Sequence, residues 1–113
     1  SSYYYDNFNL LKRIIEESQK KNIYVIGDIF PQNPASKNTG AFAFHGIQRS
    51  KAPALIKEIA DLQNVYPNFV FLDENKMGDH DYTDEMAYDC NHLAHLGAIQ
   101  MTARLDSLIK TLK

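Results

Sequence analysis

The sequence predicts an α/β fold in which helices cover a parallel β-sheet, and three observations lead to this prediction. Two short predicted strands, residues 23–26 and 68–73, have apolar centres with the β-branched and aromatic side chains that are typical of strands. Neither run alternates with polar residues, which is typical of strands buried on both faces of a sheet. Segments with apolar residues at helical spacing alternate with these strands, an order that favours right-handed crossovers and a parallel sheet.

The first helix is predicted over residues 1–22, which combine an apolar face with a charged one. Its apolar residues recur at steps of three and four positions, and they are Phe8, Leu11, Ile14 and Ile15. The strand at 23–26 follows and ends at Gly27-Asp28. A long irregular loop is predicted at 31–46, and loops of this length inside compact domains are often functional or mobile.

The second helix is predicted to start at Ser50 as its N-cap, with Pro53 in the first turn, and to run to Leu62. The strand at 68–73 follows it, and the last helix is predicted over residues 94–112. Sheets usually contain about four to six strands, so at least one strand edge should lack a partner within this chain. We therefore expect the chain to cover that surface by forming a two-fold homodimer.

Length, composition and charge limit the classes of protein to which this chain can belong. A chain of 113 residues corresponds to one domain or part of one, and its 44% hydrophobic residues indicate a packed core. The net charge of −2 gives no electrostatic reason to expect binding to nucleic acid or to an anionic membrane surface. No apolar run approaches the ~18–20 residues of a membrane span. The single cysteine, Cys90, excludes a disulfide within the chain.

Residues 74–88 form a polar, acidic segment that raises the question of a metal site. The segment lacks the glycine and glutamate spacing of an EF-hand calcium loop. His92 and His95 are three positions apart, but no third ligand for zinc is evident. We therefore expect a solvated acidic loop, with His80 and His95 exposed, and neither a metal nor a cofactor.

The most informative motif is Asp89-Cys90-Asn91-His92, directly before the last helix. An aspartate three residues before a histidine can hold one imidazole tautomer and stabilise the imidazolium, as in the Asp–His half of a hydrolytic triad. The alternative is a turn aspartate followed by a surface or capping histidine. Cys90 could be interpreted as a nucleophile, but the favoured interpretation is that it is an ordinary small, half-buried residue of the turn.

The order Asp89-x-x-His92-Leu93-x-x-x-Gly97-Ala98 resembles the last motif of the SGNH (GDSL-type) hydrolases. The resemblance covers the chain from about residue 9 onward, and only this last motif is specific. It implies a three-layer α/β/α, flavodoxin-like parallel sheet, of which residues 1–113 are the C-terminal portion. It also implies that His92 is the general base and Asp89 its orienting partner in the hydrolysis of an ester, such as an acetyl group on a carbohydrate.

Departures from the family pattern put the activity of this chain in doubt. The Gly-Asp-Ser nucleophile motif is not found, and neither are the glycine and Gly-x-Asn-Asp motifs that supply oxyanion donors. Gly27-Asp28-Ile29 imitates the nucleophile motif, but isoleucine has no nucleophilic atom. Ala94 stands where family members often place a polar helix cap, which weakens that cap. The alternative function is therefore a catalytically inactive interaction or carbohydrate-binding module with the same fold.

Three further residues are candidates for substrate binding, and the expected ligand is a small-molecule or carbohydrate ester. Asp28 ends the first predicted strand, at the edge where ligands gather in open parallel sheets. Phe44 and His45 lie in the long loop, where aromatic side chains could stack on a sugar ring or an acyl group. The same side chains could equally anchor the loop to the core, and the two interpretations are evenly supported.

Overall fold

The computed structural model describes residues 2–42 and 46–113, and the fold belongs to the α/β class. Within this part of the chain, three helices and a two-stranded parallel sheet are found. They are α1 (Ser2–Lys20), β1 (Val25–Ile29), α2 (Ala52–Asp61), β2 (Phe69–Asp73) and α3 (His95–Ile109). The predicted order of helices and strands is confirmed. None of the helices in the described ranges has the length and apolar character needed to cross a membrane.

The chain forms two units, each assembled from two separate segments of sequence. The first unit combines Ser1–Ile29 with Ser50–Asp73 and contains α1, α2 and both strands. The second unit combines Phe30–Arg49 with Glu74–Lys113 and contains α3. The sheet therefore belongs to the first unit, and the Asp89–His92 motif belongs to the second.

The end of α1 decides where β1 begins. Asn22 has a left-handed backbone conformation with φ of 57°, and the N–H of Ile23 donates to Ser18 O at 2.9 Å. This arrangement ends many helices, because it satisfies carbonyl groups of the last turn. Since the N–H of Ile23 is used by the helix end, β1 starts at Val25, later than predicted, and continues to Ile29.

The core of the first unit lies between α1, the end of α2 and the sheet. Its buried residues are Ile15, Leu62 and Phe69, which are 0%, 6% and 3% exposed. The predicted apolar face of α1 is therefore confirmed at Ile15. Ile14 is 57% exposed, and its assignment to the same face is wrong. Consecutive positions are about 100° apart around a helix, so the two side chains cannot share one narrow face.

The strands are less buried than their apolar sequences predict. β1 pairs with β2 from Val25 opposite Phe69 to Ile29 opposite Asp73, and every residue of β1 is only half-buried. The predicted full burial of this strand on both faces is therefore wrong, because the side chains on each face keep part of their surface in contact with solvent. The N–H of Phe71 donates to Gln63 Oε1 at 2.9 Å, so a side chain satisfies part of β2. The homodimer stays a prediction.

Gly27 is a packing residue and does not mark a nucleophile turn. A Cβ at this position would lie 3.2 Å from Phe69 Cζ and 3.4 Å from Phe71 Cδ1, so the two rings occupy the space beside the strand. Gly27, Asp28 and Ile29 all lie inside β1. A hydrolase nucleophile of the strand–turn–helix type is instead presented at a sharp turn after a strand.

The start of α2 differs from its prediction. Ser50 lies in a 3-10 turn, Arg49–Lys51, and Lys51 occupies the N-cap position without a capping hydrogen bond from its side chain. The prediction that Ser50 caps the helix is therefore wrong, because the 3-10 turn moves the helix start to Ala52. Pro53 lies in the first turn as predicted.

Candidate functional site

The Asp89–His92 motif forms the tip of a tight turn just before α3. Ala87 and Leu93 form an antiparallel bridge, and the N–H of Tyr88 donates to His92 O at 2.9 Å. The turn is closed further by the N–H of Ala94, which donates to the carbonyl oxygen of Met86 at 2.8 Å. The backbone bonds thus hold residues 89–92 between two fixed ends.

The Asp89 carboxylate organises the tip of this turn. Its Oδ1 accepts hydrogen bonds from the backbone N–H groups of Asn91 and His92, both at 2.8 Å. His92 Nδ1 lies 2.8 Å from Oδ1 and 2.9 Å from Oδ2. The predicted hydrogen bond between the two side chains is therefore confirmed. A carboxylate only accepts, so Nδ1 carries the proton and Nε2 is left as the basic nitrogen of the ring.

The same contacts keep the carboxylate ionised. The backbone N–H of Asn91 and the His92 side chain lower the pKa of Asp89 below the usual value for an aspartate. Because the folded state depresses this pKa, the contribution of the ionised carboxylate is present at neutral pH. It is lost only as the pH falls through the lowered value. Near neutral pH, His92 therefore faces a charged acceptor that can stabilise an imidazolium.

The imidazole is open to solvent. The His92 side chain is 72% exposed and the Asp89 side chain 44% exposed. In the part of the chain that the structure describes, His92 Nε2 has no hydrogen-bond partner. The alternative interpretation, a turn aspartate beside a surface histidine, fits the same contacts, since both side chains are exposed and three positions apart.

Gly97 lets the first turn of α3 lie directly against the Asp89–His92 turn. A Cβ at Gly97 would lie 2.3 Å from Met86 O, 3.1 Å from Met86 Cβ and 3.0 Å from Leu93 Cδ2. Met86 O is also the acceptor for Ala94, which is the N-cap of α3 and, as expected for alanine, makes no side-chain capping bond. Close backbone contact at Gly97 therefore replaces a side-chain cap in fixing the turn to the helix.

Replacing Gly97 with alanine should destabilise the protein by about 1–2 kcal/mol. Alanine is favoured over glycine inside a helix by ~1 kcal/mol, but forcing a Cβ against a backbone carbonyl costs up to ~3 kcal/mol. Urea denaturation followed by circular dichroism measures the change. Gly40→Ala is the control, because no atom lies within 4 Å of a Cβ there, and it should leave stability unchanged or slightly raised. A Gly97→Ala protein as stable as Gly40→Ala would contradict the close contact.

Of the other predicted site residues, the described part of the chain includes Asp28 alone. Asp28 lies in β1 of the first unit, whereas Asp89 and His92 belong to the second. Both Asp28 carboxylate oxygens are shielded from solvent. Phe44 and His45 lie outside the described residues. The substrate-binding roles of these three residues therefore stay predictions.

The acidic segment after β2 is exposed at Asp79, Asp81, Asp84 and Glu85, as predicted, but the expectation of a solvated loop is wrong at Glu74. Glu74 is 3% exposed, and its Oε2 accepts from Arg104 Nη1 at 2.9 Å. Arg104 also donates to both carboxylate oxygens of Asp81, and its guanidinium lies 5.5 Å from the centre of the Tyr82 ring. A buried carboxylate and its cation thus fasten the segment to α3. Arg104 lies three residues after Met101, which is buried on α3, and this helical spacing from an apolar residue is the sequence signal for its buried acidic partner.

His80 is half-buried, so the prediction that it is exposed is wrong, whereas His95 is exposed as predicted. His80 Nε2 lies 2.5 Å from Gln32 O, and His80 Nδ1 accepts from the N–H of Tyr82 at 3.1 Å. Asn75, which is fully buried, accepts from the N–H of Gln32 at 2.8 Å through its Oδ1. Gln32 is 43 and 48 positions away from these two partners, so no local spacing in the sequence reveals the contacts.

The described residues contain no group of three or more His, Cys, Asp or Glu side chains that could hold a metal ion.

Comparisons with protein-family models, with curated proteins and with solved structures found no match to this chain. The functional interpretation therefore rests on the geometry of the Asp89–His92 turn and on the motif that contains it.

Proposed function

We propose that this chain carries the base half of an SGNH-type ester hydrolase, with His92 as general base and Asp89 as the residue that orients it. The observation that carries the proposal is the contact of His92 Nδ1 with both Asp89 carboxylate oxygens, at 2.8 and 2.9 Å. In a serine hydrolase the same contact fixes the imidazole tautomer and leaves Nε2 to take the serine proton.

Three features of the turn support this role. Two backbone N–H groups hold Asp89 Oδ1, so the carboxylate cannot rotate away from the imidazole without losing them. Asp89 stays ionised at neutral pH, so it can stabilise the imidazolium that forms when His92 takes a proton. The exposed His92 ring can meet a hydroxyl group supplied by another segment.

In this proposal, the nucleophilic serine and the oxyanion donors come from a segment that precedes this chain in a longer protein. The complete domain would be a three-layer, flavodoxin-like sheet to which β1 and β2 contribute two of the strands. Its substrate would be an ester, such as an acetyl group on a carbohydrate. The serine hydroxyl would attack the ester carbonyl while His92 Nε2 accepts the hydroxyl proton, and His92 would then return a proton to the leaving alcohol.

The test compares this chain with the longer protein in an assay of p-nitrophenyl acetate hydrolysis. This chain alone should show no turnover above background, because it lacks an activated nucleophile. The longer protein should contain a strand that ends in Gly-Asp-Ser and should hydrolyse the ester. Rapid hydrolysis by this chain alone that is abolished in His92→Ala would contradict the proposal and would point to Cys90 or a serine within the chain. A longer protein without Gly-Asp-Ser and without turnover would favour the inactive interaction or carbohydrate-binding module.

A further inference from the structure

His80 joins two segments of the second unit through both of its ring nitrogens. A backbone N–H can only donate, so the bond from Tyr82 N–H requires an unprotonated Nδ1. A carbonyl oxygen can only accept, so the 2.5 Å contact with Gln32 O requires a proton on Nε2. The two contacts are satisfied together only by the neutral Nε2–H tautomer.

The segment that His80 holds is in turn next to the Asp89–His92 turn. Gln32 is 8% exposed, and Asn75 Oδ1 accepts its N–H while His80 Nε2 donates to its carbonyl oxygen. The following residue, Asn33, donates its N–H to Cys90 O at the long distance of 3.5 Å. Cys90 lies between Asp89 and His92, so a path that begins at the His80 ring and continues through the backbone of Gln32 and Asn33 leads to the turn of the proposed base.

We propose that His80 is a positioning residue whose neutral form holds Gln32 and Asn33 against the Asp89–His92 turn and whose protonation loosens them. The catalytic meaning of this inference rests on the proposed role of His92. Protonation places an N–H on Nδ1 opposite the N–H of Tyr82, so the ring must turn or move away. Gln32 O then loses its donor, while Asn75 still holds the N–H of the same residue. The expected response is a shift of the segment and not its detachment.

The charged and titratable groups around His80 are already engaged with other partners. Asp79, on one side of it in the sequence, forms an ion pair with Lys37, and after Lys37 a charged His80 also lowers the pKa of the Asp79 carboxyl. Asp81, on the other side, forms an ion pair with Arg104. The Tyr82 ring meets the imidazole edge-on, with 5.7 Å between the ring centres. From the segment that contains Gln32, the group facing the imidazole is a neutral carbonyl. Protonation of His80 therefore gains only the attraction of an Asp79 carboxylate that Lys37 already holds, and it directly removes the acceptor for the N–H of Tyr82.

The test is an NMR titration of this chain from pH 8 to pH 5, a range in which histidines take up protons. At pH 8, nitrogen spectra of the imidazole should show His80 as the Nε2–H tautomer. On acidification, the amide signals of Gln32, Asn33 and Tyr82 should shift with the midpoint of the His80 ring. An Nδ1–H tautomer at pH 8, or an Asn33 amide that follows the His92 midpoint instead, would overturn the proposal.

Two variants separate His80 from the other histidines. His80→Gln keeps a donor and an acceptor but cannot be protonated, so the shared transition of Gln32 and Asn33 should disappear. His95→Gln is the matched control at an exposed histidine and should keep the transition. Persistence of the Asn33 transition in His80→Gln would refute the inference. If His80→Gln does not fold, the His80 tautomer at pH 8 and the titration midpoints of the unmodified chain still test the inference. None of these signals depends on ester hydrolysis, so failure of the proposed function and failure of this inference are distinguishable.

Discussion

Under the proposed function, replacing His92 with glutamine in a longer protein that supplies the serine should lower kcat/KM for a short-chain ester by about 100- to 10,000-fold. Glutamine is polar and of similar length, but it cannot accept a proton from a serine hydroxyl. Because the proton moves in the transition state, the loss should fall on kcat, with little change in KM. Initial-rate kinetics with p-nitrophenyl acetate measure both constants.

Two further variants test whether the loss of kcat is specific to His92 and its partner Asp89. His95→Gln changes an exposed histidine three residues further on, at the start of α3, and should leave kcat unchanged. Asp89→Asn keeps an oxygen for the N–H groups of Asn91 and His92 but removes the charged acceptor of Nδ1–H, so kcat should fall strongly. A His92→Gln enzyme with unchanged kcat would place the base elsewhere and would reject the assignment of His92.

Exchanging Arg104 for methionine should destabilise this chain by about 2–3 kcal/mol at neutral pH. The Glu74 side chain is 4% exposed, and the exchange leaves its carboxylate without the cation that it contacts at 2.9 Å. Loss of one partner from a buried ion pair costs ~3–5 kcal/mol, and the 36% exposure of the Arg104 side chain reduces this figure. Urea denaturation followed by circular dichroism measures the difference in the free energy of unfolding.

The control for Arg104 lies at the C-terminal end of the same helix. Lys110 forms an ion pair with Asp106, but the two side chains are 74% and 58% exposed, so water screens their attraction. Lys110→Met should therefore change stability much less than Arg104→Met. The double variant Glu74→Met, Arg104→Met should recover part of the loss, because it removes the buried charge together with its partner. Equal losses of stability in Arg104→Met and Lys110→Met would show that the buried Glu74 carboxylate does not need its ion pair with Arg104.

The contacts that could be predicted from sequence are the local ones. Asp89 and His92 are three positions apart on one turn, so their hydrogen bond follows from short-range geometry and needs no knowledge of the rest of the fold. The helices were also predictable, because their spacing of apolar residues lies within single segments. The weak cap at Ala94 could be foreseen from the absence of a side-chain acceptor in alanine.

The contacts that were missed depend on residues far apart in the chain. Glu74 and Arg104 are 30 positions apart, and His80 and Gln32 are 48 apart, so only the folded chain brings each pair together. Acidic and histidine residues in a polar segment suggest solvent exposure unless such partners are known. The start of β1 could not be placed for a related reason, since the end of α1 uses the N–H of Ile23.

The division of the chain into two units has a consequence for how the protein is made. The chain passes from one unit to the other at residues 29–30, 49–50 and 73–74, so neither unit is a continuous piece of the polypeptide. During synthesis, the last segment of the first unit, Ser50–Asp73, leaves the ribosome after Phe30–Arg49, which belongs to the second unit. The segment Phe30–Arg49 therefore cannot form the contacts of Gln32 with Asn75 and His80 until Glu74–Lys113 has been synthesised. The turn with the proposed base thus belongs to the unit completed last, and a single proteolytic cut cannot release that unit intact.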